Sequence, residues 1–216
     1  MKNIYVIYGL ILLMGLMFVG CSEDNNPLTD AQKIAALRKV KIVYDSMSYE
    51  IGLPPGALSG QSLADLMLND SSTYADPANY SITISLNVTA DNTDPDAEDA
   101  KFDGMDIDIV MDTIESNPIN MSTEGFEVKK GETYPVETST TINLETHREA
   151  GLYIFRQTVD GNDLATTTYP YLHYVLGIEQ GTLNLPSIYK EIPTRASEET
   201  KEFLRQLLES GIFDEQ

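Results

Sequence analysis

The chain has 216 residues, 42% of them hydrophobic, which suits one core-bearing domain rather than a disordered polymer. It carries 34 Asp and Glu against 14 Lys and Arg, a formal charge of −20, so phosphate backbones repel it and no nucleic-acid partner is expected. Cys21 is the only cysteine. An internal disulfide is excluded, and once that thiol is acylated so are thiolate metal sites and cysteine nucleophiles.

In chain order, Lys2 supplies a small positive start, and an apolar run from Ile4 to Val19 follows. The run is short for a membrane-spanning helix and close to the apolar region of a leader peptide. It ends in Phe18-Val19-Gly20-Cys21, with Ser22-Glu23-Asp24 behind. This resembles the lipobox of bacterial lipoproteins, in which a small residue precedes the acylated cysteine. Gly20 and Cys21 match that pattern, while Phe18 stands for the usual Leu and Val19 for the usual small residue. The resemblance implies cleavage between Gly20 and Cys21, palmitate-type acylation of Cys21, and attachment to a membrane. Ser22 resembles an outer-membrane sorting signal, and Glu23-Asp24 an export tag to the cell surface. Residues 1–20 then form a leader and 21–28 a tether.

Thr29-Asp30-Ala31-Gln32 has the spacing of a capping box and predicts a short helix to about Leu37. Val40, Ile42 and Tyr44 alternate with Lys39, Lys41 and Val43 and predict a strand; one helix over 29–46 is the competing reading. Pro54-Pro55-Gly56 and Gly60 mark a loop, and Ser62 starts a helical turn toward Leu68. Ile82, Ile84, Leu86, Val88 and Ala90 give the clearest strand, one face apolar and the other polar. Further strands are expected over Met105 to Met111, Phe126 to Val128, and Val136 to Leu144. Thr146-His147-Arg148-Glu149 reads as a second capping box opening a helix that Asp160-Gly161 ends; a buried strand over Leu152-Tyr153-Ile154-Phe155 is the competing reading. Leu172, Tyr174, Leu176 and Ile178 alternate again, with Leu183 and Leu185 after a turn at Gly181. Ser197 caps a last helix whose stripe is Phe203, Leu204, Leu207 and Leu208, stopped by Gly211.

About seven period-two strands argue for a mainly β, antiparallel sandwich over 29–195, closed by a C-terminal amphipathic helix over 196–216. The order of features from Val40 to Thr194 is similar to the late-embryogenesis-abundant type 2 family, also called the water-stress and hypersensitive-response domain. The likeness runs through Asn92-Thr93-Asp94-Pro95, the Phe126 to Glu132 hairpin centred on Gly131, and the closing segment from Tyr174 to Pro193. It implies a fibronectin type III or immunoglobulin-like sandwich. That family has no agreed catalytic residues to carry over.

Candidate chemistry is sparse. Asp94, Asp96, Glu98 and Asp99 crowd one loop whose carboxylates could supply oxygen ligands to calcium, or could simply be hydrated. The spacing is not that of an EF-hand. Tyr169, Tyr171 and Tyr174 could stack on sugars or pack in the core. His147 and His173 are the only histidines, and neither has a motif partner. The expectation is therefore a non-enzymatic, lipid-anchored envelope protein without a resident cofactor. It would act as a structural module or adaptor for other envelope proteins. The alternative is a surface glycan-binding module, with or without calcium.

Overall fold

The structure is a computed structural model that describes residues 29–112, 114–176 and 179–213. Gly20, Cys21 and Ile178 lie outside the described residues. Among those described, the protein is mainly β, with antiparallel sheets and four helices.

Helix α1 (Asp30–Leu37) opens on the expected capping box. Thr29 Oγ1 accepts from the Gln32 backbone N–H at 3.3 Å, and Gln32 Oε1 accepts from the Thr29 N–H at 2.8 Å. The chain leaves that helix at Arg38 and enters strand β1 (Lys41–Gly52), so the single helix over 29–46 does not form. Val40, Ile42 and Val43 are β-branched and fit a pleated surface better than a helix. Helix α2 (Leu63–Tyr74) starts at Ser62 and runs past Leu68, with a break at Asp70 (φ −153°, ψ 76°). The Asp70 carboxylate accepts from Ser72 Oγ and from the Thr73 N–H, which restarts the helix.

Strand β2 (Ser81–Asp91) is the centre of a three-stranded sheet, between β1 and β7 (Thr133–Asn143). Its alternation is complete: Ile82, Ile84, Leu86, Val88 and Ala90 are buried and their neighbours are not. Strands β3 (Ala100–Phe102) and β6 (Phe126–Val128) form a two-stranded ribbon. The second large sheet has β4 (Gly104–Met111) between β5 (Ile114–Thr123) and the long β8 (Leu164–Leu176). The far edge of β8 is shared by β10 (Ile188–Ile192) and β9 (Glu179–Asn184). The inner faces of both large sheets contribute to one apolar core.

Helix α3 (Arg148–Asp160) ties the two sheets together. Tyr49 on β1 and Thr158 share a hydrogen bond of 2.9 Å, and Tyr153 Oη accepts from the Ala165 N–H on β8 at 3.2 Å. Gly151 lets the helix approach so closely that a Cβ there would run into Leu144. The expected second capping box is absent. His147 occupies the cap position without a side-chain capping hydrogen bond, Thr146 closes a turn back onto Asn143, and Glu149 accepts from Ser116 Oγ at 3.1 Å. Helix α4 (Glu198–Glu209) is capped by Ser197 and buries Phe203, Leu204 and Leu207. Gln206 on it accepts from the Leu63 N–H at 2.8 Å, satisfying a free donor in the first turn of α2.

Gly181 is not a turn residue. It lies inside β9 opposite Tyr174, and its missing side chain makes room for the Tyr174 ring. Gly181→Val should therefore cost about 1–3 kcal/mol through forced displacement of that ring. Denaturant unfolding checks this, and an unchanged midpoint would show that Tyr174 yields freely. Sequence periodicity also missed the start of β8, where Thr166 and Thr168 are buried in place of aliphatic residues. Thr166 Oγ1 reaches the Lys190 carbonyl at 2.9 Å, which satisfies its hydroxyl inside the sheet.

Candidate functional site

The densest polar arrangement lies on the outer face of the second sheet. Met105, Ile107 and Ile109 of β4 point into the core, so Asp106 and Asp108 point outward. Register then brings Ser122 and Tyr171 beside Asp106, and Asn120 and Tyr169 beside Asp108. Ser122 Oγ donates to Asp106 at 2.8 Å, and Asn120 Nδ2 donates to Asp108 at 2.6 Å. His173 Nε2 lies 2.8 Å from the other Asp106 oxygen, and its Nδ1 lies 3.1 Å from Thr182 Oγ1 on β9.

The Ser122 hydroxyl and then His173 hold the Asp106 carboxyl below the ordinary aspartate range. A lowered native value stabilises the fold above the unfolded value, and that contribution fades as pH falls through the native one. The Asp106 side chain is half exposed, so the effect on stability is small. A carboxyl-detected NMR titration should place Asp106 below a free aspartate, and Ser122→Ala should raise its midpoint. An unmoved midpoint would remove Ser122 as the main cause. Desolvation, and then the neighbouring Asp108 carboxylate, push the Tyr171 phenol up.

Thr182, His173 and Asp106 stand in the order hydroxyl, imidazole, carboxylate. They do so on an open strand face, where such rows are cross-strand ladders that fix side-chain positions. Nucleophilic chemistry would need a pocket and oxyanion donors converging on Thr182. The arrangement presents hydroxyls, amides, carboxylates and tyrosine rings on one outward strand face.

The structure separates the three late tyrosines. Tyr169 and Tyr171 share this outer face, two residues apart on β8. Tyr174 has the opposite parity and packs against the core over Gly181. The acidic loop is engaged by cations and backbone. Lys39 Nζ lies 3.5 Å from Asp94 and 3.7 Å from Asp96, Lys130 Nζ lies 3.5 Å from Glu98, and Asp99 accepts from the Lys130 N–H at 2.9 Å. Asn92, fully buried, pins the loop through its amide to the carbonyls of Glu98 and Val128. Among the described residues no three His, Cys, Asp or Glu side chains gather as a metal-holding group. Half-buried His147 is held below the ordinary histidine value by desolvation, and its Nδ1 meets Thr146 Oγ1 at 3.1 Å.

Sequence reading missed the Asp106–His173 pair, because only strand register brings β4 and β8 together. The one legible trace was the outward parity of both residues. It also missed Tyr134, which stacks face to face on Phe126 at 5.6 Å and lines a polar cleft of about 630 Å³ between β5 and β7.

Fold and surface together define a mainly β protein that displays a polar sheet face. No family model and no curated protein matches the chain. Among solved structures it is similar to a protein from Archaeoglobus fulgidus, at 12% identity over 71% of this chain and 99% of that one, with a TM-score of 0.37. It is also similar to a structural-genomics protein designated SoR45, at 11% identity over 72% and 87%, with a TM-score of 0.35. A protein described as ApaA from Bordetella pertussis matches at 12% identity over 70% and 96%, with a TM-score of 0.31. At these scores the likeness carries no argument about fold or function.

Proposed function

We propose that this chain is an acylated lipoprotein of the bacterial cell envelope. Its two large sheets form one fibronectin-like sandwich of the late-embryogenesis-abundant type 2 kind, serving as a non-catalytic structural module or adaptor at the outer membrane. The observation that carries the reading is Phe18-Val19-Gly20-Cys21 behind an apolar leader, with the first described helix starting at Asp30, nine positions after the cysteine. The Ser22-Glu23-Asp24 sequel supports outer-membrane placement and favours the cell exterior. The Gly131-centred hairpin between β6 and β7, with Gly131 at φ 77°, supports the family reading.

As an adaptor, the protein would meet its partner through the outer face of the second sheet. Cysteine at Asn184, exposed on β9 beside Tyr171, gives a thiol-directed photo-crosslinker a single target once Cys21 is acylated. In intact cells a discrete adduct is expected there and none from Leu68→Cys on α2, which is 85% exposed. Equal adducts at both positions, or none at Asn184, would remove the adaptor role.

One observation favours a second reading, surface glycan binding. Tyr169 and Tyr171 lie on one open face with Asp106, Asp108 and Asn120 beside them, the combination of stacking ring and polar edge that sugars need. A glycan array tests it, and silence there dismisses it. A calcium-assisted form requires Asp94, Asp96 and Glu98 to give up Lys39 and Lys130. Calorimetric titration with calcium decides that, since absence of heat leaves the lysines in place.

A further inference from the structure

A second surface combines an apolar lining with positive charge. It is a groove of about 600 Å³ where β1, the free edge of the first sheet, faces β10 and the segment before it. Its wall is apolar: Val40, Ile42, Val43, Leu185 and Ile188 line it, and Val43 is 44% exposed. Its charged lining residues are Arg38, Lys41 and Lys190, with no Asp or Glu among the residues that line it. In a chain with 34 acidic residues, three cations on one apolar groove are a strong local reversal of sign. Among the described residues none of these three makes an ion pair within 4 Å, although Asp91 faces Lys41 across the β1–β2 pairing. Lys190 Nζ sits 5.4 Å from the centre of the Tyr44 ring, which holds the ammonium at the groove without a carboxylate.

Each feature selects the same ligand chemistry. The volume lies in the range of small-molecule sites, about 300–1,000 Å³. An apolar wall gains from removing an acyl chain from water. Arginine and lysine at the rim complement an anionic head, and the guanidinium can meet it with two parallel hydrogen bonds. A neutral sugar would leave the cations unused, and an extended acidic peptide would leave the apolar wall unfilled. We propose that this groove binds a single-chain anionic amphiphile, a fatty-acid-type molecule with its head at Arg38, Lys41 and Lys190 and its chain along Ile42, Val43, Leu185 and Ile188. The site does not depend on how the N-terminus is anchored.

The test is photo-labelling of the full chain, purified in a neutral detergent, with a diazirine analogue of palmitate, followed by peptide mapping. Adducts are expected on the peptides carrying residues 40–44 and 185–190, and excess palmitate should compete while its methyl ester should not. The triple variant R38Q/K41Q/K190Q should lose at least tenfold in labelling. All three positions are solvent-exposed, so its melting temperature should hold. A second variant, Val43→Asp, should weaken labelling by placing a carboxylate in the groove. Labelling scattered over the surface, equal competition by the ester, or a triple variant labelled like the wild type would each overturn the proposal. So would binding to anionic phosphatidylglycerol vesicles without labelling by the monomer, because that outcome describes a membrane-contact patch.

Discussion

Cys21→Ala should abolish lipid incorporation and empty the outer-membrane band of a density gradient almost completely. The chain has one cysteine, so on the proposed reading one residue carries the whole anchor. Each buried methylene contributes about 0.8 kcal/mol, one acyl chain holds a protein only marginally, and several hold it firmly. Without the thiol there is no site for the thioether and no reason for cleavage after Gly20. The variant should then keep its leader and appear as a longer, unlipidated chain outside the outer-membrane fraction. Among the described residues the apolar core runs from Leu37 to Phe213, and the variant's melting temperature should match the wild type. A variant that still bands with the outer membrane would mean that something other than Cys21 places the protein.

Phe155→Ala should produce the largest loss of stability. Phe155 is fully buried on α3, the helix that reaches β1 through Thr158 and β8 through Tyr153. Emptying a core site of a phenyl ring costs about 3–5 kcal/mol, through lost transfer energy and the cavity left behind. Domains of this kind have roughly 5–15 kcal/mol in all. At about 2–4 °C per kcal/mol for this size, the melting temperature should fall by roughly 6–20 °C. Val175→Ala on β8, where the side chain is 44% exposed, should stay within about 0.5 kcal/mol of the wild type. Equal effects from the two changes would mean that α3 is not the keystone between the sheets.

The fold was legible where burial follows a simple period. Strand β2 shows this best: its five apolar positions are the five buried ones. The Thr29 box and the Ser62 and Ser197 caps were also readable, because a cap is a local hydrogen bond between residues three apart. What failed depended on partners distant in sequence. Thr146 and Glu149 had the spacing of a capping box but found Asn143 and Ser116 instead. Gly181 looked like a turn and proved to be space for Tyr174. Thr166 and Thr168 hid the start of β8: the Thr166 hydroxyl occupies a core position by meeting a strand carbonyl, while the buried Thr168 hydroxyl has no partner among the described residues.

The candidate surfaces were less legible than the fold for the same reason. Sequence grouped Tyr169, Tyr171 and Tyr174 as aromatic candidates, but only register puts the first two on one face with Asp106, Asp108 and His173. The groove of Arg38, Lys41 and Lys190 joins residues about 150 positions apart in the chain, with Arg38 at the end of α1 and Lys190 on β10. Net charge concealed it, because a sum of −20 says nothing about where the few cations gather.

Intact-mass and N-terminal peptide analysis of the protein isolated from the membranes of its own cells tests the envelope placement most directly. The account requires a chain that starts at Cys21 and carries the mass of a diacylglyceryl group and an amide-linked acyl chain. A chain that still contains residues 1–20, or one that starts at an unmodified Cys21, would contradict it.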